Sequence, residues 1–182
     1  MKNSTAYLII VMVVISLASG LVLALTYNFT IPSINEIAAR EQEQAILAVI
    51  PGATKYETYE SAPFPMYKGI DDSGSIKGVA YVIEGGGFQG IIKIMVGIDM
   101  QNQALTGIKI LSHSETPGLG ARITEDWFQS QFAGKSINDA FVARQDVEAI
   151  TGATISTKAV SRLLKESIPN VVEQYKTLGG GK

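Results

Sequence analysis

The chain has 182 residues, enough for one domain and too few for two comfortable ones, and its formal net charge of −2 supplies no basic field for nucleic acid. It has no cysteine and one histidine, His113, which excludes disulfides, cysteine nucleophiles, cysteine-ligated iron–sulfur or structural zinc sites, and multi-histidine metal centres. A redox role has to rest on an organic cofactor or on ligands from another chain.

Ala6 to Leu25 is a 20-residue segment without charge, interrupted only by Tyr7, Ser16, Ser19 and Gly20. At helical rise it spans about 30 Å, the hydrocarbon thickness of a bilayer. It is longer than a signal-peptide core and apolar on all sides, so it reads as a retained membrane anchor over residues 1–32. Lys2 precedes it and the first charges after it are Glu36 and Arg40, which favours a cytoplasmic N-terminus and an extracytoplasmic body. Ser16, Gly20 and Ala24 recur every fourth residue, either as a packing face for another membrane helix or as residues tolerated against lipid.

Tyr27, Asn28 and Phe29 suit the membrane interface, and Pro32 is expected to end or bend the anchor. Ser33 stands three residues before Glu36, a capping-box spacing that opens a second helix. Its apolar stripe is Ile34, Ile37, Ala38, Ala45, Ile46 and Val49, weakened in the middle by Glu41, and Pro51-Gly52 stops it. Tyr56 to Ile70, with Pro63 and Pro65 separating aromatics, reads as a short strand and an irregular wrap.

Period-two alternation begins at Ile76 and is expected to break at Gly85-Gly86-Gly87. Gln89 to Ile98 and Ala104 to Leu111 follow as strands, implying an antiparallel meander with a solvent-facing side. His113 reads as a surface or core-edge histidine, or as part of a functional loop with Glu115 and the glycines Gly118 and Gly120. Thr124 or Glu125 caps a short helix carrying Trp127, Phe128 and Phe132, whose spacing suits domain packing, and Gly134-Lys135 ends it. Residues 33–176 form the folded domain, and 177–182 a frayed tail.

Thr151-Gly152-Ala153-Thr154-Ile155-Ser156-Thr157 leads into an amphipathic run from Lys158 to Ile168. A hydroxyl-rich turn at a helix entrance has two meanings. It can cap free N–H groups, or it can hold a phosphate on those groups and the helix dipole. The fold class is α+β: a single transmembrane helix, then an antiparallel sheet with flanking helices. No Gly-x-Ser-x-Gly elbow, Walker lysine or Gly-x-Gly-x-x-Gly spacing occurs.

Glu115-Thr116-Pro117-Gly118-Leu119-Gly120 and Thr151-Gly152-Ala153-Thr154, together with the anchor, Pro51-Gly52 and the glycine-interrupted hairpin through Gly90, carry a resemblance. The chain resembles the FMN-binding domain family represented by the G subunit of Rnf-type ferredoxin–NAD oxidoreductases and by the C subunit of the sodium-translocating NADH–quinone oxidoreductase. Its compact length and the Thr154-Ile155-Ser156 context resemble the Rnf protein more.

The resemblance implies FMN bound covalently through a phosphoester on Thr154, with Gly152 and Ala153 leaving room and Thr151, Ser156 and Thr157 beside the phosphate. It implies polar contacts from Glu115 and Thr116, ring packing by Leu119 and the Gly120 backbone, and weaker lining roles for Phe88 and Lys158. Glu148 stands where the family usually carries an aspartate. The implied function is an electron relay between partner redox centres, in ferredoxin–NAD electron transfer coupled to Na⁺ or H⁺ transport. The implied partners are membrane subunits bearing flavin and iron–sulfur centres, and an exported FMN transferase. The setting is a bacterial or archaeal cell membrane. Two other readings stand beside it: a structural or assembly subunit without flavin, and a membrane-anchored hydrolase using His113 and Glu115.

Overall fold

The computed structural model describes residues 2–59 and 64–179, the side chains of residues 2–5 aside. Pro63 of the expected wrap and residues 180–182 of the expected tail lie outside the described residues. The chain forms two compact units, residues 1–41 and 42–182.

Helix α1, Lys2–Val49, is the one helix among the described residues that is long and apolar enough to cross a membrane. Its most apolar 18-residue window has a mean hydropathy of 2.9 and none of that window is buried. Thr26 Oγ1 donates to the Val22 carbonyl at 2.9 Å, so its hydroxyl is satisfied within the helix. The helix continues through Pro32, and no second helix begins at Ser33. The proline removes one donor, to the Asn28 carbonyl, and the turns on either side retain theirs. Glu36, expected to close a capping box, instead accepts from Arg40 at 2.7 Å on an exposed face. The expected apolar stripe divides: Ile34 and Ile37 are exposed, whereas Ala45, Ile46 and Val49 are buried in the second unit.

The second unit holds a five-stranded antiparallel sheet in the order β1-β2-β3-β4-β5: Lys55–Thr58, Met66–Ile70, Ile76–Gly86, Ile91–Asp99 and Ala104–His113. The mixed stretch from Tyr56 to Ile70 therefore supplies two strands. Strand β3 also runs on through the glycines expected to break it, with Gly85 opposite Ile92 and Gly86 opposite Ile91. A Cβ on Gly85 would strike the Leu163 side chain, so glycine there admits a helix close to the sheet.

Alternation along the strands divides the core in two. On one face Val79, Tyr81, Ile92, Ile94, Val96 and Ile98 meet a layer of helices. That layer comprises a 3₁₀ turn at Gly120–Thr124, α2 at Asp126–Ser130 and α3 at Thr154–Thr177. Phe128 and Phe132 are fully buried there with ring centroids 5.6 Å apart, the packing role expected of their spacing. On the other face Ala80 and Met95 pack with Ala45, Ile46, Val49 and Ile50. The expected solvent-facing side is thus partly covered, because the end of α1 carries its own apolar face onto it. Lys93 and Lys109 remain exposed. The α+β class holds, with one membrane-length helix before an antiparallel sheet flanked by helices.

Candidate functional site

Helix α3 begins at Thr154, four residues before the expected amphipathic run. Its N-cap is Ala153, and no side chain caps it. The capping expectation for Ser156 and Thr157 therefore fails, because both hydroxyls are engaged elsewhere. Thr157 Oγ1 accepts the Ile150 N–H at 3.1 Å and donates to the Ala153 carbonyl at 3.2 Å. Ser156 Oγ donates to Glu115 Oε2. The opening amides of the helix are left for another acceptor.

Glu115 is buried, with 4% of its surface exposed. Its Oε1 accepts the backbone N–H groups of Phe88 at 2.7 Å and Gln89 at 3.2 Å, at the β3–β4 turn. Burial pushes the carboxyl upward, but the hydrogen bonds from Ser156, Gln89 and Phe88 outweigh it and hold it below its ordinary range. One carboxylate thus joins the β3–β4 turn to the entrance of α3. Both of its oxygens are occupied by protein donors. Gly87 and Gly120 make room for it: a Cβ on Gly120 would lie 2.6 Å from both Glu115 Oε2 and Ser156 Oγ, and one on Gly87 would strike Oε1.

In front of this joint lies a cavity of about 410 Å³. Phe88, Thr116, Leu119, Gly120, Gly152, Ala153, Thr154 and Ser156 line it, eight of the residues expected at the site. Phe88, Leu119 and Ile155 are exposed, three large apolar side chains around one concave surface. Thr116 Oγ1 donates to Gln89 Oε1 at 2.9 Å, which fastens the loop to the turn. Glu115 and Thr157 lie behind the wall as supports, and Thr151 lines an adjoining groove of about 550 Å³ with Gly152. Lys158 is exposed and lines neither space.

Sequence reasoning missed two lining residues, Ile155 and Arg144. Arg144 Nη2 donates to Thr154 Oγ1 at 3.4 Å. It sits at φ +71°, a left-handed conformation that costs a non-glycine residue roughly 1–2 kcal/mol. The segment is held by Asp146, whose carboxylate accepts the Phe141 N–H at 2.8 Å and also that of Val142, while Arg144 N–H reaches the Val147 carbonyl at 2.7 Å. Glu148, the residue standing for the family's aspartate, is exposed, and its N–H donates to Gln131 Oε1 at 2.7 Å. The signal in the sequence was faint: an arginine among turn residues just upstream of a hydroxyl-rich motif.

His113 Nδ1 accepts the Glu115 N–H at 3.2 Å, which leaves that nitrogen unprotonated. Among the described residues no serine hydroxyl bonds to this imidazole, and Ser156 pairs with Glu115 instead. A Ser–His–carboxylate relay has no geometry here. The donor set does suit a phosphorylated aromatic cofactor: free helix-entrance amides, an adjacent guanidinium, an accessible threonine hydroxyl and three apolar side chains for a ring.

Residues 87–168 match the family model described as the FMN-binding domain. The G subunit of an ion-translocating oxidoreductase complex from Methanosarcina acetivorans is 36% identical over 178 residues, covering 91% of this chain and 94% of that protein. The G subunit of the proton-translocating ferredoxin:NAD(+) oxidoreductase complex from Clostridium ljungdahlii is 31% identical over 173 residues, covering 90% and 88%. Among solved structures, NqrC from Shewanella oneidensis superposes with a TM-score of 0.52 at 22% identity, over 68% of this chain and 72% of that one, a likeness of fold.

Proposed function

The chain belongs to the FMN-binding domain family, alongside the G subunits of ion-translocating oxidoreductase complexes, and from that membership we propose that it carries FMN covalently on Thr154 and relays electrons within such a complex. The observation that carries this reading is the placement of Thr154. It is the first residue of α3, its side chain is only partly buried, and it opens onto the cavity edged by Phe88, Leu119 and Ile155.

Attachment forms a bond between Thr154 Oγ1 and the flavin-side phosphorus of flavin adenine dinucleotide. The phosphoanhydride breaks, adenosine monophosphate leaves, the hydroxyl proton passes to solvent, and nothing is oxidised or reduced. An exported FMN transferase performs this step. Once bound, FMN supplies reversible electron acceptance, and the chain supplies its setting. The α3 amides favour the phosphate. Phe88, Leu119 and Ile155 cover the ring system and exclude water, while Glu115 and Ser156 keep the α3 entrance against the β3–β4 turn.

In this reading residues 1–32 anchor the chain with the N-terminus in the cytoplasm, and residues 33–176 form the flavin domain outside it. Covalent attachment suits that side of the membrane, where free FMN would be lost. The electrons come from and pass to flavin- and iron–sulfur-bearing membrane subunits of an Rnf-type complex. The flow is part of ferredoxin–NAD electron transfer coupled to Na⁺ or H⁺ transport. The relative from Clostridium ljungdahlii is named for proton translocation and one from Acetobacterium woodii for Na⁺ translocation, so both ions stay within the proposal.

The test is intact-mass measurement of the full chain after co-expression with the transferase. The expected result is one FMN-sized adduct, absent in Thr154→Ala. No adduct on the unaltered chain under those conditions sinks the carrier reading.

A further inference from the structure

Among the described residues, Arg144 is the one cationic side chain lining the cavity. Of the neighbouring cations of the second unit, Arg122 pairs with Glu125 at 3.0 Å, Arg162 donates to the Gly86 carbonyl at 3.0 Å and Lys135 donates to the Asp146 carbonyl, while Lys158 is exposed on α3 and does not line the cavity. Arg144, among the described residues, has no carboxylate within ion-pair distance. The nearest acid in its own segment, Asp146, has its carboxylate turned to the Phe141 and Val142 amides. What the guanidinium does touch is a hydroxyl oxygen, Thr154 Oγ1, at 3.4 Å.

A neutral hydroxyl is a poor partner for an arginine held in a left-handed backbone conformation. The contact becomes purposeful once that oxygen carries a phosphate. Resting on the Thr154 reading, the geometry points to Arg144 as the phosphate-recognising residue of this site. Its guanidinium pairs with the non-bridging oxygens of the phosphodiester on Thr154 and neutralises its single negative charge. The planar fork of donors matches a phosphate better than an ammonium does. The α3 amides approach from the helix end and Arg144 from the adjoining segment, so the anion meets donors from two independent elements.

The backbone at Arg144 gives the test its control. Glycine adopts φ +71° without strain, so Arg144→Gly relaxes the turn while removing the charge. Alanine removes the charge and keeps the strain, and lysine keeps the charge without the fork. The full-length protein and the three variants are loaded with FMN by the transferase and flavin adenine dinucleotide. Loading is followed by intact mass, and the loaded phosphodiester by its ³¹P resonance.

We expect the initial loading rate to fall about tenfold in both Arg144→Ala and Arg144→Gly, as for loss of one charge-assisted hydrogen bond, and to recover at least partly in Arg144→Lys. The ³¹P resonance should move in the alanine and glycine variants and return toward the original in the lysine variant. Wild-type loading and an unmoved resonance in Arg144→Ala overturn the assignment, as does full recovery in Arg144→Gly, which would mark a turn effect. Loss of loading in all three, lysine included, also overturns it. Those outcomes leave the Thr154 reading intact, whereas absence of an adduct on the unaltered chain removes both.

Discussion

Ser156 and Glu115 stand 41 residues apart in the chain and are joined by a buried hydrogen bond, Ser156 Oγ donating to Glu115 Oε2. Because the same carboxylate accepts two amides from the β3–β4 turn, this pair fixes the helix that presents Thr154 against the turn that presents Phe88. The cavity between them has the shape it does because the joint behind it is fully bonded.

Replacing Glu115 by glutamine should therefore be costly despite its similar size. The amide oxygen keeps the Phe88 and Gln89 N–H groups and the Ser156 hydroxyl can turn to accept from the new nitrogen, but three charge-assisted bonds become neutral ones, and the loss is expected at about 1–3 kcal/mol. Ser156→Ala should cost less, about 1 kcal/mol, since Oε1 keeps both amides. Urea unfolding of the full chain in detergent, followed by tryptophan fluorescence, measures both; equal stability of Glu115→Gln and the unaltered chain would contradict the joint.

The pH dependence has a definite sign. The Glu115 carboxyl is lowered in the folded state from its ordinary value of 4.5, so its contribution to stability is fully present above that value. It is lost as pH falls from there through the lower folded value. Melting temperatures recorded on acidification should drop more steeply in the unaltered chain than in Glu115→Gln over that window. Parallel curves would show that Glu115 is not the group responsible.

Gly85 is expected to be intolerant of a side chain because Leu163 occupies the space. Gly85→Ala should destabilise by about 1–3 kcal/mol through overpacking. In a Leu163→Ala background the same substitution should cost at least ~1 kcal/mol less, since contacting residues couple. Strict additivity in this double-mutant cycle would refute the contact.

Neighbouring threonines should separate cleanly. Thr154→Ala is expected to abolish the FMN adduct, whereas Thr151→Ala, whose side chain is on the adjoining groove and does not line the cavity, should still carry it. Denaturing electrophoresis with in-gel flavin fluorescence reads both. A fluorescent band in Thr154→Ala would move the attachment site elsewhere.

Orientation can be read with paired reporters. A periplasmic phosphatase fused after residue 182 should be active and a cytoplasmic reporter at the same place silent. The reverse pattern would place the domain on the wrong side for an exported transferase.

Elements with a strong local period were legible in the sequence, and those set by distant packing were not. The four-residue step from Phe128 to Phe132 announced a buried pair, and the alternation after Ile76 announced β3. Gly85 and Gly86 misled because glycine in a strand reads as an interruption unless Leu163, 78 positions after Gly85, is known to lie above it. Of the two expectations at Pro32, an end to the helix is not met, because one missing hydrogen bond is small against the many retained over Lys2–Val49. At the site, the two hydroxyl- and glycine-bearing motifs identified most of the cavity wall. Glu115 was legible as a site residue but not as its internal tie, since its partners are backbone amides that carry no side-chain signature. Arg144 became visible only when its turn brought it to Thr154.

Each strand of the sheet pairs with its neighbour in the chain, from β1 through β5. Such a meander is assembled from successive local hairpins, whose closure entropy is small, and low contact order favours quick formation. Helix α3 follows the sheet in the chain, and its Ser156 bonds to a carboxylate 41 residues earlier, a contact that no local hairpin supplies. On the proposed attachment, a chain in which α3 has not packed lacks the hydroxyl in its setting, so modification at Thr154 would mark folded molecules.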